Sequence, residues 1–327
     1  MKIKILFYGF RHSHINSLYK KVSACDSFEI VDCIENYSPA REAAEKNLGA
    51  KFSGRSYDEW LSGDIDAVAI GNAYGDRGSA VIKALSAGKH VIADKPICTD
   101  ISELNTIREL ATKRSLTIAC MLDLRYIAQS IRAQEIIKSG ELGEVRNIAF
   151  NGQHCIDYAH RPSWYFEEGM HGGTINDLAI HGIDLVRMIS GLEISSIDAA
   201  RVWNSYAYKH KDFKDSAIFM ARLSNGGGLL ADVSYSAPTQ VFSMPTYWEF
   251  RFWCEKGLLT FSYTDKSVTV YKEGTPEPIK YICDEYKSDY LTEFIRETGS
   301  GRCAMTENIL SSTECALRIQ HIADSEV

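Results

Sequence analysis

Two short stretches of the chain carry side chains suited to acid–base chemistry. Asp177 and His181 stand four residues apart in a segment, Thr174 to Ile189, that reads as a helix, so both project from one face. A histidine there can take a proton near neutral pH, and an aspartate can orient the imidazole or a bound hydroxyl. Gly172 and Gly173, just before them, permit close approach of a ligand or backbone. The other candidate is Lys95, which follows the apolar run His90–Ala93 and precedes Pro96, a residue that stiffens the chain beyond it. A partly desolvated ammonium can hydrogen-bond a reacting oxygen and stabilise a developing alkoxide. Asp184 extends the Asp177–His181 face and gives the three a superficial look of metal ligands. A metal would need a closed ligand set with a second shell around it, so no metal is expected and Asp184 is read as structural.

These residues need elements to position them. The first third alternates apolar runs (Lys4–Tyr8, Phe28–Ile34, Ala67–Ile70, His90–Ala93, Thr117–Met121) with helical stretches (Ile15–Val22, Pro39–Asn47, Ser56–Leu61, Gly78–Ser86, Ile101–Lys113). Runs without clear alternation fit strands covered by helices on both faces, hence a doubly wound parallel sheet of the Rossmann type. Lys95 then falls at the carboxyl end of a strand, where such folds bind ligands. After Met121 the texture changes. Helices are expected at about 130–139 and 174–189, and strands at 200–203, 217–223, 229–234, 248–253, 258–261 and 268–271. Two terminal helices are expected, at about 286–297 and 307–323. The expected fold is α/β: a Rossmann domain over residues 1–122, then an α+β domain over 123–327 with a large, mostly antiparallel open sheet.

Bulk properties narrow the classes. A chain of 327 residues suits two domains. A net charge of −7 and a pI near 5.8 argue against nucleic acid as a partner. No apolar run of about 18 residues suggests a membrane span. Nine scattered cysteines without a C-x-x-C pair argue against a disulfide framework or zinc knuckle and for a reducing, cytoplasmic setting.

The segment after the first strand is Gly9-Phe10-Arg11-His12-Ser13-His14, where a dinucleotide fingerprint would read G-x-G-x-x-G. Only the first glycine is kept, and Arg11 and His14 stand at the other two positions. Either the Arg11 guanidinium takes over the pyrophosphate beside a helix N-terminus, or cofactor binding is weakened. Glu35, at the end of the second strand, favours the first alternative. A carboxylate there binds ribose hydroxyls and repels a 2′-phosphate, which favours NAD over NADP. The expected cofactor contacts are Gly9, Phe10, Arg11, His12, Glu35, Asn72, Asp94 and Lys95.

At Ala87-Gly88-Lys89-His90-Val91-Ile92-Ala93-Asp94-Lys95-Pro96 the sequence resembles the Gfo/Idh/MocA oxidoreductases, which carry A-G-K-H-V-x-x-E-K-P at the end of a Rossmann strand. Asp66–Ile70 precedes it by the expected interval. Gly140-Glu141-Leu142-Gly143-Glu144-Val145 is similar to the family's G-x-x-G-x-[IV] turn, and Gly172–Asp184 to its G-G-G-x-x-x-D-x-x-x-H-x-x-D helix. Two departures stand out: Asp94 replaces the family's glutamate, and Arg77 fills the histidine position of its A-T-P-N-x-x-H loop.

The resemblance implies that Lys95, Asp177 and His181 form the catalytic set, at a cleft between the domains, for hydride transfer between a nicotinamide and a secondary alcohol of a sugar or polyol. Arg125, which matches an arginine-aromatic pair after the last Rossmann strand, is a candidate substrate contact. So are Tyr158 and Trp164, from a polar-aromatic stretch suited to sugar rings. His154, His160 and His171 are less specific. The resemblance also implies a homodimer or homotetramer through the second-domain sheet. Two alternatives stay open: a redox-neutral glycosidase using NAD transiently, and a cofactor-less sugar-binding homologue.

Overall fold

In the first half of the chain, β1 (Ile3–Tyr8), α1 (His14–Ser23), β2 (Phe28–Ile34), α2 (Ser38–Leu48) and α3 (Tyr57–Leu61) are followed by β3 (Ala67–Ile70), α4 (Tyr74–Ser86), β4 (His90–Ala93), α5 (Ile101–Arg114) and β5 (Ile118–Cys120). The computed structural model describes residues 2–240, 243–284, 286, 288–301 and 303–325. The five strands are all parallel, in the order β2-β1-β3-β4-β5. The order reverses at β1, which opens a crevice at the strands' carboxyl ends. Ile5, Leu6, Phe7, Val68, Ile70, Val91, Ile92 and Ile118 are fully buried, which explains why these strands do not alternate. Each such side chain contributes roughly 1.5–3 kcal/mol by leaving water. Helix starts follow local chemistry: Ser56 and Glu59 form a reciprocal capping box on α3, and Asp100 accepts from the first turn of α5. Helix α1 has no side-chain cap at Ser13; the Ile15 and Asn16 N–H groups of its first turn donate instead to the His12 and Ser13 carbonyls.

The compact unit built on this sheet comprises residues 1–121 together with 162–172 and 290–313. Helix α8 (Tyr290–Ser300) packs Phe294 against Phe28 and His90, with ring centroids 6.4 and 6.2 Å apart. The helix expected from Tyr286 begins at Tyr290; Lys287 lies outside the described residues. Helix α9 covers Ala304–Ser325, and its Thr306 hydroxyl accepts the Ile118 N–H at 2.9 Å.

The second compact unit holds residues 122–161, 173–289 and 314–327. Its elements are α6 (Ala128–Ser139), β6 (Val145–Gln153), α7 (Ile180–Ser190), β7 (Ile194–Trp203), β8 (Ser216–Leu223), β9 (Gly228–Ser234), β10 (Glu249–Cys254), β11 (Gly257–Ser262), β12 (Ser267–Lys272) and β13 (Ile279–Ile282). They form one sheet in the order β13-β12-β11-β10-β6-β9-β8-β7, antiparallel except where β6 runs parallel to β9. Strand β8 alternates strictly: Ala217, Phe219, Ala221 and Leu223 point to the core, Ile218 and Met220 to solvent. Helix α7 lies so close to the sheet that a Cβ at Gly182 would stand 2.2 Å from the Phe150 ring. The helix expected over 174–189 is found without a break from 174 to 190, but its Ile175–Ala179 stretch is widened to a π-helical turn. Such wide turns often re-aim side chains at functional sites.

Candidate active site

The loop after β1 is held by backbone. Gly9 has φ +85°, and a Cβ on it would lie 2.5 Å from the Asn72 nitrogen, so only glycine lets the loops after β1 and β3 touch. The Arg11 N–H donates to the Gly71 carbonyl at 3.0 Å, and Trp164 Nε1 donates to the Arg11 carbonyl at 3.2 Å. Residues 162–172 thus pack over this loop within the same unit. The Tyr165 and Tyr74 hydroxyls are 2.6 Å apart, and the Gly75 N–H donates to the Met170 carbonyl at 2.9 Å.

Asp94, at the end of β4, is fully buried. His12 Nδ1 lies 2.7 Å from one of its oxygens and His14 Nδ1 3.1 Å from the other. The Lys95 N–H donates to it at 2.7 Å, and Arg77 Nη2 stands at 3.4 Å. Burial opposes ionisation of Asp94, but the two imidazoles and Arg77 outweigh it and hold its carboxyl well below the usual range. Burial also pulls His12 down to about 4 despite the carboxylate, so its ring is neutral at pH 7 and its Nδ1 carries the hydrogen. Arg77, itself fully buried, donates to the Pro96 carbonyl at 2.8 Å and the Asn72 carbonyl at 2.7 Å. It ties the loop after β3 to the Asp94–Pro96 segment. Lys95 is 4% exposed, and its ammonium lies 5.8 Å from the centre of the Tyr74 ring.

Beside this cluster a groove of about 250 Å³ is lined by Gly9, Arg11, Glu35, Asn72, Ser79 and Lys83, among others. Glu35 accepts the Phe10 N–H at 2.5 Å on one oxygen and the Tyr37 N–H at 2.8 Å on the other. Those bonds fix the carboxylate in the groove wall and leave it lone pairs for hydroxyl donors. The Arg11 guanidinium lies 4.5 Å over the Tyr37 ring. Among the described residues the buried Asn72 Oδ1 has no hydrogen-bond partner. A polar groove at the sheet's switch point, with a fixed acid, two cations and an unmet acceptor, fits the adenosine end of a dinucleotide.

In the second unit the π-helical turn carries Asp177, whose carboxylate accepts the Tyr235 hydroxyl. Tyr235 is itself boxed in by Phe213, with centroids 5.2 Å apart, and by the Arg161 guanidinium at 5.7 Å. One turn on, the His181 ring meets the edge of Trp248 at 5.6 Å. Trp248 in turn requires Gly152, where a Cβ would fall 2.5 Å from the indole. Asp184 is 1% exposed and takes a forked pair from Arg125, Nε at 2.8 Å and Nη2 at 2.7 Å.

Residues 4–121 match a family model described as an oxidoreductase family with an NAD-binding Rossmann fold, and residues 130–260 match the GFO/IDH/MocA C-terminal domain. The chain belongs to the GFO/IDH/MocA oxidoreductase family. D-xylose dehydrogenase of Paenarthrobacter nicotinovorans is 22% identical over 63% of this chain and 57% of that protein. Myo-inositol 2-dehydrogenase of Thermotoga maritima is 23% identical over 80% of this chain and 78% of that one. In several other curated relatives the match spans about half of their length. The aldose-aldose oxidoreductase of Caulobacter crescentus shares the fold, with a TM-score of 0.81 at 16% identity, over 100% of this chain and 99% of that one.

Within this GFO/IDH/MocA frame the expected residues divide by unit. Gly9, Phe10, Arg11, His12, Glu35, Asn72, Asp94 and Lys95 all lie in the first, gathered around one loop and groove. Asp177 and His181 lie in the second. Trp164 is corrected: it is 2% exposed and packed under the Arg11 carbonyl, so its ring has no open face for a sugar. Arg125 gives its fork to Asp184, an ion-pair role that sequence spacing did not reveal. Tyr158 is 45% exposed and stacks with His210, centroids 5.9 Å apart. His160 pairs with Asp157 on the surface, and His171 is buried beside Tyr165. Tyr235 escaped notice because nothing in its strand-end sequence points to Asp177. Arg77 was visible as a departure, but its role in clamping Asp94 needed the fold.

Proposed function

We propose that this chain is an NAD-dependent dehydrogenase acting on a secondary alcohol of a sugar or polyol. The observation that carries the reading is the buried Lys95 ammonium at the carboxyl end of β4, in the same unit as a groove walled by Glu35. Bound NAD would supply the hydride acceptor. Glu35 would take the ribose hydroxyls and disfavour a 2′-phosphate, while Arg11 and Lys83 would face the phosphates. Lys95 would hydrogen-bond the reacting oxygen, His181 would take or return its proton, and Asp177, oriented by Tyr235, would hold a neighbouring hydroxyl. The relatives named as xylose and inositol dehydrogenases support the substrate class.

The cofactor-less alternative has one observation in its favour: the Arg11 N–H and carbonyl are already engaged by Gly71 and Trp164. Incubating purified protein with NAD and a panel of aldoses, inositols and other polyols, and following NADH absorbance, tests the main reading. Reduction of NAD by at least one panel member is expected. Silence across the panel, with no cofactor bound, would favour the alternative.

A homo-oligomer through the second unit's sheet is part of the same proposal. Met220, Leu230 and Trp253 are each about half exposed on the outward face of β8, β9 and β10, which supports this reading. Light scattering on the purified chain is expected to give the mass of a dimer or tetramer, and a monomer at high concentration would remove this part.

A further inference from the structure

Where a dinucleotide loop carries glycines, this chain places two imidazoles against one carboxylate. His12 and His14 flank Ser13, the residue just before α1, with ring centroids 4.4 Å apart and planes inclined by 69°. One ligating atom from each of His12, His14 and Asp94 lies within 4.8 Å of the other two. Both Nδ1 atoms point at Asp94, at 2.7 and 3.1 Å. In a tetrahedral site with bonds of about 2.0–2.1 Å, neighbouring ligand atoms stand roughly 3.3 Å apart. The two Nδ1–Asp94 spacings lie within about 0.6 Å of that value, and no pair in the set is further apart than 4.8 Å.

We propose that His12, His14 and Asp94 form a binding site for a borderline divalent cation of the Zn²⁺ or Co²⁺ class. Two imidazoles and one carboxylate are a donor set such ions accept, and hard ions such as Mg²⁺ prefer all-oxygen shells. A neutral imidazole moves its hydrogen from Nδ1 to Nε2 and turns a lone pair toward the point it now faces as a donor, with no net release of a proton. The Asp94 oxygens exchange their N–H partners for the cation. Two features argue for restraint in affinity. The Arg77 guanidinium stands 3.4 Å from Asp94, and Lys95 is the next residue. Arg77 also donates to the Pro96 and Asn72 carbonyls, which anchors it, and its Nη2 shares with His12 the same Asp94 oxygen, while His14 faces the other. Three protein ligands leave the shell incomplete, so the ion would exchange more readily than in a closed structural site.

The test titrates full-length, metal-stripped protein with Co²⁺ alone, without NAD, so its failure leaves the cofactor reading untouched. One equivalent should bind and give the visible absorption of nitrogen- and oxygen-ligated cobalt, without the near-ultraviolet band that cysteine ligation would add; Zn²⁺ should bleach it. The His14 ring is 35% exposed, so His14→Gln is expected to fold with a near-normal melting temperature. It should weaken Co²⁺ binding by at least about tenfold. Zn²⁺ should raise the melting temperature of the unchanged protein and not that of the variant. Absence of stoichiometric cobalt binding would overturn the proposal. So would binding that survives His14→Gln unchanged, since the ion would then sit elsewhere.

Discussion

The loop after β1 and the helix that begins at residue 175 treat buried carboxylates in different ways. In the first unit a single aspartate, Asp94, gathers two imidazoles and a guanidinium, and its charge is met on every side. In the second unit the task is divided. Asp184 takes the guanidinium fork of Arg125, and Asp177 takes a neutral tyrosine hydroxyl. A carboxylate held in a guanidinium fork is fixed in place. On the proposed function Asp184 is structural and Asp177 holds a substrate hydroxyl, although both lie on one stretch of chain. The comparison also shows how a rewritten loop stays folded: shortening the family's glutamate to Asp94 coincides with side chains, His12, His14 and Arg77, that satisfy the shorter acid.

If Lys95 is the reacting cation beside that satisfied acid, Lys95→Ala should lower turnover by about 10²–10⁴-fold. Calorimetry should find NAD affinity within a few-fold of the unchanged protein. Turnover near normal would remove lysine from the chemistry and leave Asp94 as the centre of a purely structural network.

Much of the first unit was legible in the sequence because its signals are local. Apolar runs of four to seven residues, separated by helical stretches, can hardly form anything but a parallel sheet, and the AGKHV…KP segment locates the strand end that presents Lys95. The start of α4 at Tyr74 was hidden, since Gly71, Gly75 and Gly78 read as loop and Ala73 carries no capping side chain. Strand β6 was also missed. The consecutive exposed residues Arg146 and Asn147 break its alternation, and its central place comes from a parallel pairing with β9 that no short-range signal announces. In the site, residue types were readable and partners were not. Nothing local says that Arg125 reaches Asp184, 59 positions away, or that Tyr235 reaches Asp177.

Removing the cation from the forked carboxylate gives the next largest effect. Arg125→Met removes the forked cation from a buried Asp184 and should cost about 3 kcal/mol in denaturant unfolding. A loss below about 1 kcal/mol would mean that the pair is not structural. Tyr235→Phe sharpens the other half of the contrast. Turnover should fall about tenfold, with a stability loss of only about 1 kcal/mol, and equal loss in both variants would erase the distinction between Asp177 and Asp184.

The smallest effect concerns Asp215, a buried acid outside both regions. Burial opposes its ionisation, but the Ser216 hydroxyl and the N–H groups of Ser205, Tyr206 and Ala207 outweigh that and depress its pKa. A depressed folded-state pKa adds stability above the unfolded value and loses it as pH falls through the folded one. Asp215→Asn should therefore cost about 1–2 kcal/mol at neutral pH, with the gap closing below about pH 4. A gap independent of pH would assign the cost to packing.

The account rests most heavily on the groove walled by Glu35 being a nucleotide site despite the lost glycines. Isothermal titration of the purified chain with NAD and, separately, NADP addresses this directly. One NAD per chain, bound at least about tenfold tighter than NADP, is the expected outcome. Heat-silent titrations with both nucleotides at millimolar concentration would contradict it.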